Sequence, residues 1–304
     1  MQNEKFSQID HALNNAARRV LATSLSSLMQ MPKRYRFIYE FDDLTVDCTR
    51  QPLDDDALAC LFDLANACKL RQRIDQMFCG ASINTSENRP VQHLEFRRPD
   101  HQNTADYKKC VDFTEAVRSN PEITAVVNLG TGGSDLGPKM VTAALAGYHD
   151  GPDCYFVGNI CPTDLHDVMG KCTPQKTLFI ITSKTFTTAE TMANAAIAKN
   201  WLEQHGVDAG KAMVAVTAAG PRAREWGIDP QHIFTFAEGV GGRYSLWSPV
   251  GLAAMIAIGR DDFASLLAGG YAMDCHVQQA ELQANIGVIM GLLRVWHRSY
   301  LHRP

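Results

Sequence analysis

From about Pro121 onward the chain alternates short β-rich runs with helical stretches, and this alternation constrains the fold more than any other feature. The runs are ITAVVNLG (Ile123 to Gly130), DCYFVGN (Asp153 to Asn159), KTLFIITS (Lys176 to Ser183), KAMVAVTA (Lys211 to Ala218) and HIFTFAE (His232 to Glu238). Glycine- or hydroxyl-rich turns follow the runs, and helical segments such as GPKMVTAALAG and TAETMANAAIAKNWLEQHG lie between them. Alternation of this kind predicts an α/β domain, a doubly wound five-stranded parallel sheet with helices on both faces. In such sheets ligands bind at the carboxyl ends of the strands, so the turns after the runs are where chemistry is to be sought.

The residues before the sheet read differently. In IDHALNNAARRVLATSLSSLMQM and in DDDALACLFDLANACKLRQRIDQMF the apolar residues recur at spacings of three and four, which predicts a mostly helical N-terminal region from Asp10 to about Arg73. The second stretch is acidic at its start and basic toward its end, as the helix dipole favours. Between them RYRFIYEFDDLTVDCT is richer in aromatic and β-branched residues and reads as a short extended piece. No internal repeat or low-complexity linker interrupts the chain.

Composition narrows the partners. With 304 residues, 45% of them hydrophobic and 20% charged, the chain can bury a sizeable core as one large domain or two smaller ones. A net charge of -4 and a pI near 6.2 give no electrostatic reason for nucleic acid or an acidic membrane surface as main partner, so any anion must be bound locally. The nine cysteines (Cys48, Cys60, Cys68, Cys79, Cys110, Cys154, Cys161, Cys172 and Cys275) are odd in number and contain no C-x-x-C pair, which reads as free thiols in a reducing compartment rather than zinc or redox chemistry. The N-terminus lacks the apolar core of a signal peptide, and no run approaches the roughly 18 to 20 apolar residues of a membrane span. The expected location is the cytoplasm.

Three turns stand out. The first, GTGGSDLGPKMV (Gly130 to Val141), has glycines for a tight turn and places Ser134 and Asp135 where a helix should start. Its G-x-G-G pattern matches neither the dinucleotide fingerprint nor the nucleotide P-loop, and it is compatible with a ligand loop or with a merely tight turn. The second crowds Ser183, Lys184, Thr185, Thr187 and Thr188 into six positions. Thr187 and Glu190 have capping-box spacing, which predicts that the helix begins there and that at least one hydroxyl caps it. Capping alone does not explain four hydroxyls and a lysine beside one helix N-terminus, an arrangement that offers donors, a positive dipole end and a full charge to a phosphate. The third, GVGGRYSLWSPVGL (Gly239 to Leu252), couples paired glycines to Arg243, a permanent charge with a planar fork of donors that serves a surface ion pair or a ligand. Three turns converging on an anion without a nucleotide signature point to a small phosphorylated metabolite.

In VVNLGTGGSDLGPKMV, TLFIITSKTFTTAETMANA and GVGGRYSLWSPVGL, taken in that order and spacing, the sequence resembles the phosphoglucose isomerase family. INTSENRPVQHLEFR (Ile83 to Arg97) resembles that family's upstream block, and NIGVIMGLLRVWHRSY the segment after its first sugar-isomerase (SIS) domain. The resemblance implies residues 1–114 as the helical region, 115–285 as an SIS domain and 286–304 as the start of a connection to a second SIS domain. It further implies a cytoplasmic, glycolytic and gluconeogenic isomerase that interconverts glucose 6-phosphate and fructose 6-phosphate through an enediol(ate), with no cofactor or metal and as a homodimer when complete. By the same resemblance Gly133, Ser134, Ser183, Lys184, Thr185, Phe186, Thr187 and Thr188 hold the substrate phosphate, Gly242 supports the site, and Arg243 stabilises the charge of the intermediate. Asn84, Glu87, Arg89 and His93 match the family's pattern, but a buried ion pair and a core histidine explain them equally well, and they are left out of the site.

The family's proton-moving glutamate, ring-opening histidine and C-terminal lysine belong to its second SIS domain, and its E-S-N-G motif is not found here. The resemblance therefore implies an N-terminal portion without its general base; neither Glu190 nor Glu238 is a supported substitute. Loss of a positioned acid or base costs a rate factor on the order of 10² to 10⁴. Two other readings stand beside this one: a non-catalytic sugar-phosphate-binding SIS module, and an inactive fragment with helices left uncovered.

Overall fold

The computed structural model describes residues 2–303, which form two compact units, one from residues 2–88 with 272–303 and one from Arg89–Tyr271. No helix among the described residues is long and apolar enough to cross a membrane.

The first unit is built mainly from helices. The long helix Gln2–Ala22 buries Leu13, Ala16, Ala17 and Val20 in a core shared with Ala57 and Leu61 of the helix Asp55–Ala67. Trp296, from the C-terminal piece of the unit, is fully buried in the same core, and its indole N–H donates to the Pro52 carbonyl at 2.8 Å. The aromatic-rich stretch forms a hairpin of β1 (Ile38–Phe41) and β2 (Leu44–Asp47), with Asp42 at φ 52° in its two-residue turn, as tight hairpins require. The second predicted helix is two helices, Asp55–Ala67 and Leu70–Phe78, with Lys69 left-handed between them at φ 53°. Beyond the break, Arg71 donates to the Gln278 carbonyl at 2.7 Å and to that of Ala280. Tertiary hydrogen bonding accompanies a break that the helical periodicity alone would have run through.

The second unit holds all five predicted strands: β3 (Ala125–Gly130), β4 (Asp153–Val157), β5 (Thr177–Thr182), β6 (Met213–Thr217) and β7 (Ile233–Thr235). They pair in parallel in the order β4-β3-β5-β6-β7. Every residue of β3, β5 and β6 is buried, and successive side chains enter opposite layers. Val126, Leu178, Ile180, Val214 and Val216 join the helix Leu252–Ile258. Val127, Leu129, Phe179, Ile181 and Ala215 join the helix Ala189–Gln204. Each fully buried valine, leucine or isoleucine contributes about 1.5–3 kcal/mol, which fixes the register of both layers.

This strand order reverses beside β3. The chain leaves β3 for β4 on one side and returns to β5 on the other, so a crevice opens between the carboxyl ends of β3 and β5. Two of the three conspicuous turns flank that crevice.

Candidate functional site

The turn after β3 enters its helix, Gly133–Ala144, without a side-chain cap. Gly132 at φ 60° supplies a backbone conformation that other residues reach only with strain. Gly133 is required for a different reason: a Cβ there would lie 2.1 Å from the Gly242 carbonyl oxygen, so the turns after β3 and β7 approach backbone to backbone. Ser245 bridges them, its hydroxyl donating to the carbonyls of Gly242 at 2.7 Å and Gly133 at 3.3 Å. From below, the fully buried Asn128 donates to the Ser134 carbonyl at 3.0 Å and accepts from the Thr182 hydroxyl at 2.9 Å. A buried polar chain thus ties the last turn of β5 to the first turn after β3. It explains why an asparagine interrupts an otherwise apolar strand. Asp135 in the same helical turn is buried, and desolvation pushes its carboxyl above the usual range, with Asp164 adding to the shift and Lys139 opposing it.

The turn after β5 is held largely by its own side chains. Ser183, only 2% exposed, shares a hydrogen bond with Thr188 at 3.0 Å, and the Thr187 hydroxyl donates to that of Thr185 at 2.7 Å. Phe186, at φ 54°, turns its ring into the core beneath, edge-on to Trp226 with centroids 6.2 Å apart. Its side chain anchors the loop, and only its backbone can face a ligand. Arg222 donates to the Thr185 carbonyl at 3.0 Å, and Lys184 reaches across to the Glu238 carbonyl at 2.6 Å.

The expected capping box is not formed. Thr188, not Thr187, is the N-cap of Ala189–Gln204, and its side chain makes no capping hydrogen bond because the hydroxyl pairs with Ser183. The physical consequence favours an anion. Among the described residues the N–H groups of Thr187, Thr188, Ala189 and Glu190 have no acceptor, and they sit at the positive end of a 16-residue helix. Exposed Thr185 and Thr187 and half-buried Lys184 and Thr188 surround these donors. Donors so placed are chemically suited to an anion.

The turn after β7 is held from a distance. Gln92 and Gly239 bond reciprocally, N–H to carbonyl at 3.2 Å and N–H to side-chain oxygen at 3.0 Å. Arg89 donates to the Glu238 carbonyl at 3.3 Å and pairs with the Glu238 carboxylate at 3.3 Å, so Arg89 and Lys184 share one carbonyl acceptor. Gly242 is left-handed at φ 56°, and the following Arg243 is exposed. Arg243 donates to the Tyr244 hydroxyl at 2.8 Å and lies 4.6 Å over its ring, while the His93 ring stacks on Tyr244 with centroids 4.8 Å apart. Burial, and secondarily Arg97, lower the His93 pKa to about 4, so the imidazole is neutral near pH 7.

Of the residues singled out in the sequence, the structure brings together Gly133 with Gly242, and Ser183, Lys184, Thr185, Thr187 and Thr188 around one helix start. Ser134 follows Gly133 in the adjoining turn. Residues Arg89, Gln92, His93 and Tyr244 were not assigned from sequence, yet they clamp the turn that carries Arg243. The block INTSENRPVQHLEFR was the only signal that pointed to three of them. The nine thiols are unpaired.

The phosphoglucose isomerase family profile matches residues 47–303. The glucose-6-phosphate isomerase of Ruegeria pomeroyi is 39% identical over 314 residues, covering 97% of this chain and 58% of that protein. That of Campylobacter jejuni subsp. doylei is 39% identical over 289 residues, covering 88% and 53%. Among solved structures, a glucose-6-phosphate isomerase from Chlamydia trachomatis matches with a TM-score of 0.86 at 25% identity, covering 95% of this chain and 60% of that one. The hypothetical protein TT0462 from Thermus thermophilus matches at 0.63 and 27% identity, covering 78% and 55%. The chain therefore spans somewhat over half the length of the relatives it matches.

Proposed function

Because this chain belongs to the phosphoglucose isomerase family, we propose that its site holds a hexose 6-phosphate and serves the interconversion of glucose 6-phosphate and fructose 6-phosphate. The observation that carries the reading is the open helix start at Thr187–Glu190, ringed by hydroxyls and Lys184 at the crevice between β3 and β5. A dianionic phosphate bound there satisfies the orphan N–H groups and the helix dipole together.

The chemistry follows from where the other end of the sugar goes. With the phosphate held by the Ser183–Thr188 turn together with Gly133 and Ser134, the C1–C2 end extends toward the turn that carries Arg243. Aldose and ketose share one enediol, and removing a proton from either carbon puts negative charge on an oxygen. The Arg243 guanidinium, permanently charged and steadied by Tyr244, stabilises that charge without reorganising as it develops. The Glu238 carboxylate is paired with Arg89 and is not assigned as the base.

Titration calorimetry with glucose 6-phosphate tests the reading on the chain itself. We expect saturable binding that weakens in Ser183→Ala and Thr185→Ala by roughly 1.5–3 kcal/mol each, the size of a hydrogen bond to a charged group. A coupled assay for fructose 6-phosphate on the same protein separates an isomerase from a module that binds without turnover. Failure to bind, or binding indifferent to both substitutions, contradicts the assignment.

A further inference from the structure

Resting on the assignment of Arg243 above, we propose that His93 is a positioning residue for this site: its ring sets Tyr244, and through Tyr244 the guanidinium that faces the reacting end of the sugar. Three contacts stand in line. Arg243 makes one hydrogen bond among the described residues, to the Tyr244 hydroxyl at 2.8 Å, and its guanidinium carbon lies 4.6 Å from the centre of that ring. The same ring stacks on His93 at 4.8 Å with an interplanar angle of 18°. An exposed arginine with several free rotamers is thereby given one orientation by an aromatic neighbour that is itself held.

His93 is suited to hold it. The imidazole follows directly on Gln92, whose backbone and side chain both bond Gly239 on the same turn as Arg243, so the two segments are fixed to each other at two points before the rings meet. Burial together with the nearby Arg97 keeps the imidazole uncharged near pH 7. A neutral ring stacks without placing a second positive charge beside Arg243, which an imidazolium would do at a cost in repulsion. The link is indirect, because His93 reaches the sugar only through Tyr244.

The test separates orientation of the charge from mere support of the fold. Two probes are titrated into the full chain: arabinonate 5-phosphate, whose carboxylate lies where the enediolate charge develops, and glucitol 6-phosphate, which has the phosphate but no such charge. Arg243→Ala is expected to lower the affinity ratio of charged to uncharged probe. His93→Ala is expected to lower the same ratio roughly threefold to tenfold, the worth of an aromatic pair of this kind, while leaving glucitol 6-phosphate affinity nearly unchanged. His93→Phe, which keeps a stacking ring, restores the ratio. Tyr244→Phe, which keeps the ring and removes the hydroxyl, lowers it and carries the same test if His93→Ala fails to fold. Equal weakening of both probes in His93→Ala, no restoration by phenylalanine, or an unchanged ratio in Tyr244→Phe overturns the proposal while Arg243 keeps its role. An unchanged ratio in Arg243→Ala overturns the reading of Arg243 itself, and the proposal with it.

Discussion

The turns after β5 and β7 lie at the same end of the sheet, joined by the bond from Lys184 to the Glu238 carbonyl, but are held in different ways. Ser183–Thr188 is closed by two hydroxyl pairs within six residues and by Phe186 in the core beneath, with Thr217 and Arg222, from the next strand and helix along the chain, bonding the Lys184 and Thr185 carbonyls. Gly239–Tyr244 is organised from outside, by Gln92 and Arg89 almost 150 residues earlier in the chain, by His93 against Tyr244, and by the backbone of Gly133. The difference suits the roles proposed for the two turns. A phosphate grip needs only donors at fixed spacing around a helix start. A charge that must meet a transient oxyanion needs one orientation relative to the rest of the sugar, which only contacts from elsewhere in the fold can set.

Changes that break the turn after β5 should have the largest effect. Phe186→Ala removes a buried aromatic anchor and is expected to destabilise the chain by about 3–5 kcal/mol in urea unfolding and to abolish phosphate binding. Retained binding would mean that the turn does not depend on its own anchor. Next comes the point where the turn after β3 backs the turn after β7. Gly133→Ala drives a methyl group into the Gly242 carbonyl, and an overpacking cost of roughly 1–3 kcal/mol should appear as weaker glucose 6-phosphate affinity in calorimetry.

Smaller effects should fall on the externally held turn alone. Gln92→Ala unfastens Gly239 and should cost about 0.5–1.5 kcal/mol in the binding of a charged intermediate analogue, with inorganic phosphate affinity unchanged. If phosphate binding falls equally, the two turns are not supported independently. The smallest effect is in pH. His93 has a folded pKa of about 4 against an ordinary 6.5, so the unfolded chain takes up the proton first as pH falls. Its contribution to stability is complete above about pH 6.5 and is lost progressively as pH drops through 4. Thermal melts across that window should therefore show a shallower acid slope in His93→Phe than in the unaltered chain.

The same contrast decided what could be read from sequence. All five strands of the second unit were legible because each βα unit announces itself locally, in apolar runs such as KTLFIITS followed by turn residues. The Ser183–Thr188 turn was legible for the same reason. The capping box failed because spacing alone cannot show that the Thr188 hydroxyl has a better partner in Ser183. The break at Lys69 was hidden by unbroken helical periodicity. Tyr244 gave no signal, Gln92 only by lying in INTSENRPVQHLEFR, and Arg89 and His93 read equally well as an ion pair and a core histidine, because their partners lie far along the chain. The hairpin at Asp42 lay between, its extended character visible and its turn not.

The central claim is that the open start of the helix Ala189–Gln204 grips a sugar phosphate, and backbone amide NMR tests it most directly. On titration with glucose 6-phosphate, the amide resonances of Thr187, Thr188, Ala189 and Glu190 should shift saturably, and glucose without its phosphate should leave them in place. Glucose 6-phosphate that binds without moving these four amides, or glucose that moves them equally, would contradict the account.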